Sequence, residues 1–594
     1  MVVDASAWLY SLCREVTNCG PQTVLYSRLR HEARERILRY CTRYFATVVF
    51  VFDGLYEARK AQVHLERTTI KYDAVKRWYS TLGNWSHEDS QYWLGILLPQ
   101  LARITLIQVI VELKALPECH DLRLYVADGE ADQEIARFSL ELGAVVLSND
   151  SDFFLHSAVA SYAPLSKTLE AEQHISGPMY SPEDVEKILK IKRDLFPLLA
   201  VLAGNDYTVG TVLVRAHRLL GFSGELPEDA SRIKKICGVL AKYNTYEEAA
   251  QDFRAAPSFG SIGGPRLLTQ FEEAMRQFGY QMSAECSKKI VLKMSNRQAV
   301  PEEVMLRYRS GLFDTLIMEV LVQHEFTCPV IQEHPDRKSV WGTTRSLRSL
   351  AYSCLTLVIE QSAVQTSINE KFFRGSPQKT PVPITQEASL LGVSGAGPLQ
   401  DTPDSQKIRW LLLSRLFGDC EGALADKIQA LAPADLILVL GLRFLSAKGA
   451  SEIKDWQRKA LLVSYCVRDD PSSLRPLDAH PTAQHAHTCT LWENTLLCVL
   501  LLLQSLLFSQ AVLTTPVATF VDPPVLMASF ERLQGRDDWE ALLRSESRVA
   551  HFTQLWSLAV GTPLKVASTG GAGSGKKRPK GDPKSGPSSS SAKF

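Results

Sequence analysis

Residues 125–154 read YVADGEADQEIARFSLELGAVVLSNDSDFF, and the reading of the rest of the chain follows from them. One apolar run, Leu122–Ala127, leads into Glu130 and Asp132; a second, Ala144–Ser148, leads into Asp150 and Asp152. Both runs have the composition of buried strands. Between them Ala131, Ile135, Phe138 and Leu142 recur at i, i+4, i+7 and i+11, which predicts a helix with one apolar stripe. The unit is therefore strand, helix, strand. Such a crossover is right-handed and makes the two strands parallel, so the residues just beyond their carboxyl ends emerge on one edge of the sheet. Carboxylates gathered there repel one another and stay ionised most readily around a divalent cation that prefers oxygen ligands. The helix macrodipole alone favours Glu130, Asp132 and Glu134 in a first turn. It leaves Asp150 and Asp152 unexplained.

The same signature occurs twice upstream. Met1–Val3 is followed by Asp4, and Thr47–Phe52 by Asp53. Four parallel strands ending in acids would line one rim, where open α/β sheets place their ligands. Leu195–Gly204 is also apolar and ends in Asn205-Asp206-Tyr207, which supplies a seventh carboxylate, Asp206. Seven acids suit two ions better than one, and two Mg²⁺ or Mn²⁺ ions roughly 4 Å apart serve phosphodiester displacement by water. A rival reading takes Asp150-Ser151-Asp152 as the metal-binding DxD of a nucleotide-sugar transferase; it has no use for Asp4, Asp53 or Asp206.

The order VVDASAWLY, VFVFDG, GEAD, SNDSD, GNDY resembles the flap-endonuclease/XPG superfamily of PIN-like nucleases. More narrowly, VLSNDSDFF and LFPLLAVLAGNDY followed by a long helical remainder and a basic tail are similar to the asteroid family. The resemblance implies an α/β fold: a PIN-like, flap-endonuclease-type parallel sheet with a helical arch, then a large mainly α-helical region and a disordered basic tail. It makes Asp4, Asp53, Glu130, Asp132, Asp150, Asp152 and Asp206 the metal-binding set for two Mg²⁺ or Mn²⁺ ions. Lys60 and Arg67 stand seven and fourteen residues after Asp53, as do the Lys and Arg that grip the scissile phosphate in flap endonucleases. Seven residues are two helical turns, so both point the same way, and cations there would offset the charge that develops on the phosphate. Arg59, Lys71, Lys76 and Arg77 lie nearby, so the segment also reads as a solvated basic face.

What the resemblance implies is metal-dependent, structure-specific endonuclease activity on single-stranded or flap and overhang DNA, in DNA repair. The alternative is a catalytically weak or inactive nuclease-fold scaffold in growth-factor receptor signalling, acting through protein binding. Three departures stand against the family pattern. Relatives carry a Met-Gly-Ile-type segment ahead of the first strand, whereas this chain starts inside that strand at Met1, which implies a missing edge of the site. The Gly-rich helix–two-turn–helix expected directly after GNDY has only a displaced echo, Gly260-Ser261-Ile262-Gly263-Gly264-Pro265. Asp132 stands where a second Glu is commoner, with a shorter reach.

At 594 residues, 45% hydrophobic and 22% charged, the chain has an ordinary globular composition with room for several domains. Its net charge of +1 divides into +5 for Ser568–Phe594 and −4 for the remainder, so any nucleic-acid contact must be a local basic patch. Twelve cysteines without a CxxC pair, and no secretory pattern at the N-terminus, point to a reducing compartment. KKRPK at 576–580 reads as a nuclear-import signal, with the cytoplasm as the alternative.

The expected layout is a nuclease domain over 1–215, with the arch at 54–122, then a helical extension over 216–363. A Pro/Gly/Ser-rich linker over 364–408, a C-terminal helical domain over 409–567 and a disordered tail over 568–594 complete it. The stripe Tyr26, Leu29, Ala33, Ile37, Tyr40 predicts the first crossover helix. Trp78, Tyr79, Trp85, Tyr92 and Trp93 would stack bases beneath an arch, although their spacing equally fits core positions. The expected partners are single-stranded or junction DNA and proteins bound through the C-terminal helices. No membrane is expected and the chain is read as a monomer: Asn494–Val521 is uncharged and long enough to span a bilayer, but Gln504, Gln510 and Pro516 interrupt it and a buried helix is expected. His480, His485, His487 and Cys489 fit no standard zinc spacing. Gly570–Lys576 imitates a phosphate-binding loop without its strand, its helix or its Ser/Thr.

Overall fold

The computed structural model describes residues 1–16, 25–56, 60–82, 96–170, 174–205, 211–223, 226, 230–279, 299–355, 367–383, 409–411, 413, 423–447, 453–470, 482–534 and 536–561. Each of the four apolar runs ahead of an acid is a strand: β1 (Val2–Asp4), β2 (Val48–Phe52), β3 (Leu122–Val126) and β4 (Val145–Ser148). With β5 (Ser161–Pro164) they form one sheet of order β3-β2-β1-β4-β5. Every pairing is parallel, with Val3 opposite Phe50, Phe50 opposite Leu124, Val2 opposite Val146 and Leu147 opposite Ala163. The chain runs outward from β1 to β3 on one side and from β4 to β5 on the other. The order therefore reverses between β1 and β4, the switch point at which sheets of this kind open a crevice.

Both faces of the sheet are covered, which is why β2 is apolar at every position, VVFVF, rather than alternating. Val3, Val48, Phe50 and Phe52 pack into the core built with α1 (Ala5–Val16) and α2 (Tyr26–Arg39). Val2, Val49, Val51 and Val146 pack on the opposite face against Ala131 and Ile135. The predicted stripe of α2 is buried at Tyr26, Leu29, Ala33 and Ile37, and Tyr40 follows it inward. The stripe after β3 ends sooner than its spacing predicts: Leu142 is exposed, while Ala136 and Ser139 are buried.

Within the segment expected to arch, two helices are described. α3 (Ala61–Ser80) buries only Ala74, Val75 and Trp78, so its first three turns stand out from the body. α4 (Ala102–Leu113) is apolar on nearly every side, packs on α2 and β3, and belongs to the core rather than to an arch. Trp78 is fully buried and Tyr79 donates its hydroxyl to the Gln332 carbonyl at 2.9 Å, so neither is a base-stacking platform. Trp85, Tyr92 and Trp93 lie outside the described residues.

The C-terminal helices do not form a separate body. α2 and α4 cover the sheet, and the later helices cover α2 and α4 in one continuous hydrophobic core. The longest helix, Ala483–Ser505, is the bilayer-length apolar segment, and it is buried within the protein from His485 to Ser505. Its polar groups meet partners from the opposite end of the sequence. Tyr26 donates to Glu493 at 2.6 Å and Gln100 to Asn494 at 2.7 Å. Gln108 bridges further along, donating to the Thr515 carbonyl at 2.6 Å and accepting from the Val517 amide at 3.0 Å. His485 lies against Trp456 and Phe530, and His487 accepts from the His334 amide, which is how core histidines behave and not how zinc ligands do. His480 lies outside the described residues.

A second, smaller core gathers Val185 to Met275, including the helix Phe196–Ala203 that precedes Asn205. Part of the expected linker is ordered: β7 (Ser367–Phe373) and β8 (Pro377–Pro383) form an antiparallel hairpin, and β7 also pairs in parallel with β6 (Glu325–Thr327). Pro377, Pro381 and Pro383 are tolerated because β8 is the edge strand and all three sit at odd positions, which turn their missing N–H groups away from β7. The remainder of 364–408 and the tail from 562 lie outside the described residues.

Candidate functional site

Four strand ends deliver acids to one rim. Asp4 closes β1; its carboxylate accepts the Ala7 amide at 3.0 Å and the Ser148 hydroxyl at 2.6 Å. Asp53 follows β2 and accepts the Ser6 hydroxyl at 2.8 Å and the Ala131 amide at 3.1 Å. Gly54, next in line, lets the β2 and β3 ends close up: a Cβ there would stand 1.7 Å from the Ala127 carbonyl oxygen. Glu130 is the residue that begins the helix Ala131–Leu142, and Asp132 lies in its first turn. Asp150 accepts the Asp152 amide at 2.9 Å and so caps the short turn Ser151–Phe154 that carries Asp152.

Asp4, Asp53, Glu130, Asp132, Asp150 and Asp152 line one cavity of about 160 Å³, and Lys60 and Arg67 line it from α3. Lys60 is 7% exposed and its ammonium stands 3.1 Å from a Glu130 carboxylate oxygen. Asp206 lies outside the described residues.

The electrostatics are those of crowded acids. Burial, then the charge of Asp53, pushes the Asp4 carboxyl up to about 6; the Ala7 amide and Ser148 hydroxyl oppose the rise, and Asp150 adds to it. Asp132 is pushed well above the usual carboxylate range by burial and by Asp150, Asp53 and Asp4, with Lys60 pulling the other way. A divalent cation is what would let both ionise near neutrality. The donor set fits one: every candidate ligand is a carboxylate oxygen, and Mg²⁺ and Mn²⁺ take such ligands. Among the described residues no three acids already surround a single point closely enough to hold an ion. Asp4 and Asp53 are engaged by protein donors, yet each of their oxygens accepts one hydrogen bond and keeps a further lone pair.

Several residues that line the cavity or orient its acids carry no sequence signal. Ser6 and Ser148 orient Asp53 and Asp4. Gln277 and Phe278 reach the cavity from the end of the helix Gly264–Met275, which starts at the Gly-rich echo noted in the sequence. Gln133 hydrogen-bonds Gln277. His156 is buried at the wall, and its Nδ1 accepts the Ala158 amide.

Residues 101–219 match a family model described as "XPG domain containing". The chain is 23% identical over 278 residues to "Single-strand DNA endonuclease ASTE1" of Homo sapiens, a match covering 44% of this chain and 40% of that protein. The same protein of Pongo abelii matches equally. The match spans less than half the length of these curated relatives. Among solved structures, the catalytic core of Rad2 in complex with DNA substrate (complex II) aligns with 21% identity and a TM-score of 0.27, covering 47% of this chain and 78% of that one. Complex III of the same core aligns at 20% identity and a TM-score of 0.25, over 46% and 73% of the two chains.

Proposed function

We propose that this chain, which is similar to the asteroid proteins of the XPG superfamily, is a structure-specific nuclease that hydrolyses phosphodiester bonds in single-stranded or flapped DNA. The observation that carries the reading is the convergence of six carboxylates and two cationic side chains on one cavity at the switch point of a parallel sheet. The printed name of the relatives, a single-strand DNA endonuclease, supports the choice of substrate.

In this reading Asp150 and Asp152, with Asp206, would hold one Mg²⁺ or Mn²⁺ ion, and Glu130 and Asp132 would help to hold a second, with Asp4 and Asp53 completing the rim directly or through water. Such a pair of ions supplies an activated water and stabilises the attacking and leaving oxygens of the displacement. The protein's part is orientation and charge. Ser6 and the Ala131 amide fix Asp53, and Ser148 and the Ala7 amide fix Asp4, so neither carboxylate swings when its neighbours change partner. Arg67 and Lys60 receive the scissile phosphate, and Lys60 exchanges Glu130 for a phosphate oxygen as the substrate enters. Work on single-stranded branches belongs to DNA repair, and the KKRPK tail is the element that would carry the chain to the nucleus.

Asp152 is exposed at the cavity rim, so Asp152→Asn removes a charge without touching the core. The expected result is loss of cleavage of an end-labelled flap in Mg²⁺ with an unchanged melting temperature. Cleavage at the native rate by the variant would overturn the assignment.

A further inference from the structure

We infer that the hairpin Ser367–Pro383 is part of the nucleic-acid interface: a single strand leaving the acid cavity runs along the outer face of α3 and is met by Lys371 of β7 and Lys379 of β8. The inference rests on the nuclease reading above for the identity of the strand, and on the following geometry for its path.

α3 begins at the cavity and ends on the hairpin. Lys60, at its first turn, lines the acids, whereas Tyr72, three turns on, packs edge-on against Phe373 of β7, ring centres 5.5 Å apart, and lies 3.7 Å from where a Cβ on Gly375 of the hairpin turn would stand. Between these ends Lys60, His64, Arg67 and Lys71 fall at i, i+4, i+7 and i+11, one face of the helix and a row about 16 Å long. Within α3 the buried residues begin at Ala74; ahead of them His64 rests on Tyr56, ring centres 4.5 Å apart, and Arg67 lines the acid cavity. A helix whose first three turns bury none of their side chains while presenting a cationic row has the form of a phosphate track.

The hairpin extends that row. Lys371 stands two residues before Phe373 on β7 and so shares the strand face that meets Tyr72 of α3, and Lys379 is its direct cross-strand partner. Lys371 and Lys379 share one carboxylate, Glu325, with Lys379 at 3.1 Å, so the trio keeps a net positive charge; the lysines are 43% and 53% exposed. Arg374, by contrast, is committed to Glu333 at 3.2 Å and to backbone carbonyls, and it serves the turn rather than a ligand. A hairpin serving only as a prop for α3 would need the Tyr72–Phe373 contact and neither lysine.

The test measures binding of labelled flap DNA by the full chain in EDTA, over a range of salt, with flaps short enough to end at the first turn of α3 and flaps long enough to reach the hairpin. Lys371→Gln/Lys379→Gln is expected to bind long flaps about tenfold more weakly, with a salt slope smaller by about 1.4 for two lost phosphate contacts, while short flaps bind as before. Lys371→Arg/Lys379→Arg should match the native chain. Should the Gln pair loosen the hairpin, adding Glu325→Gln removes the carboxylate left without its lysines and the same loss is expected. Native affinity and slope of the Gln pair for long flaps would overturn the inference. A native chain that shows the lysine-dependent slope but cleaves nothing in Mg²⁺ would retire the nuclease reading and leave the track standing.

Discussion

Asp132 is the side chain on which the proposed site costs the fold most. Its carboxyl is held well above its ordinary value of 3.8 by burial and three acidic neighbours. A carboxyl raised in the folded state contributes stability that is full below its unfolded value and is lost as the pH rises through the folded one. Without divalent ions, Asp132→Asn should therefore melt higher than the native chain at about pH 8, and the gap should close as the pH falls toward 4. Added Mg²⁺ should raise the melting temperature of the native chain more than that of the variant; equal shifts would separate Asp132 from ion binding. The acids themselves were legible in the sequence, because each follows a run of apolar, β-favouring residues and a parallel sheet can only deliver such residues to one edge. The groups that orient them were not. Ser6 and Ser148 look like any other serine until the fold places their hydroxyls on Asp53 and Asp4, and Gln277, whose partner is Gln133, gives no sign that it lines the cavity. Nor could spacing reveal that Lys60 is paired with Glu130.

Among the elements, α3 decides whether the cations meet the acids. Ala74, Val75 and Trp78 are its buried residues, with Tyr72 against Phe373 and the Tyr79 hydroxyl on the Gln332 carbonyl as further contacts, and Trp78→Ala should cost about 3–5 kcal/mol, as the loss of a fully buried indole does. It should also depress cleavage through Lys60 and Arg67 without altering the acid cavity. Hydrogen exchange is the check: protection lost across 61–80 but kept in β1 and β4 is the expected pattern, and uniform loss would contradict it. A 3.6-residue periodicity marked Trp78 as either core or platform and could not choose, since both need an aromatic on one face. The hairpin was illegible for a different reason. Proline and glycine dominate edge strands and loops alike, and only the pairing of β8 with β7 separates the two.

At the scale of the whole molecule, the described parts of the amino- and carboxyl-terminal halves share one hydrophobic core and are joined by buried polar contacts as well. The sequence shows that the C-terminal helices have buried faces; periodicity does not say what covers them, and the boundary expected near residue 363 has no counterpart among the described residues, whose core includes both sides of it. The Tyr26–Glu493 pair tests this union. Burial raises the Glu493 carboxyl from 4.5 to about 7, against the opposing hydrogen bond from Tyr26. The neutral acid stabilises the fold fully below pH 4.5, and that contribution is lost as the pH rises through about 7. Glu493→Gln, which keeps an acceptor for Tyr26, should gain about 2–3 kcal/mol relative to the native chain between about pH 5 and pH 9. A pH-independent difference in denaturant midpoints would count against a shared interior.

The central claim is that the convergent acids make this chain a metal-dependent nuclease. The most direct measurement incubates the purified chain with end-labelled single strands, 5′ flaps, 3′ overhangs and duplex in Mg²⁺ or Mn²⁺, beside Asp150→Asn/Asp152→Asn. The expected result is cleavage of single-stranded or flapped substrates that EDTA and the double variant both abolish, while duplex survives. Cleavage that persists in the double variant, or a native chain that cleaves none of the four, would contradict it.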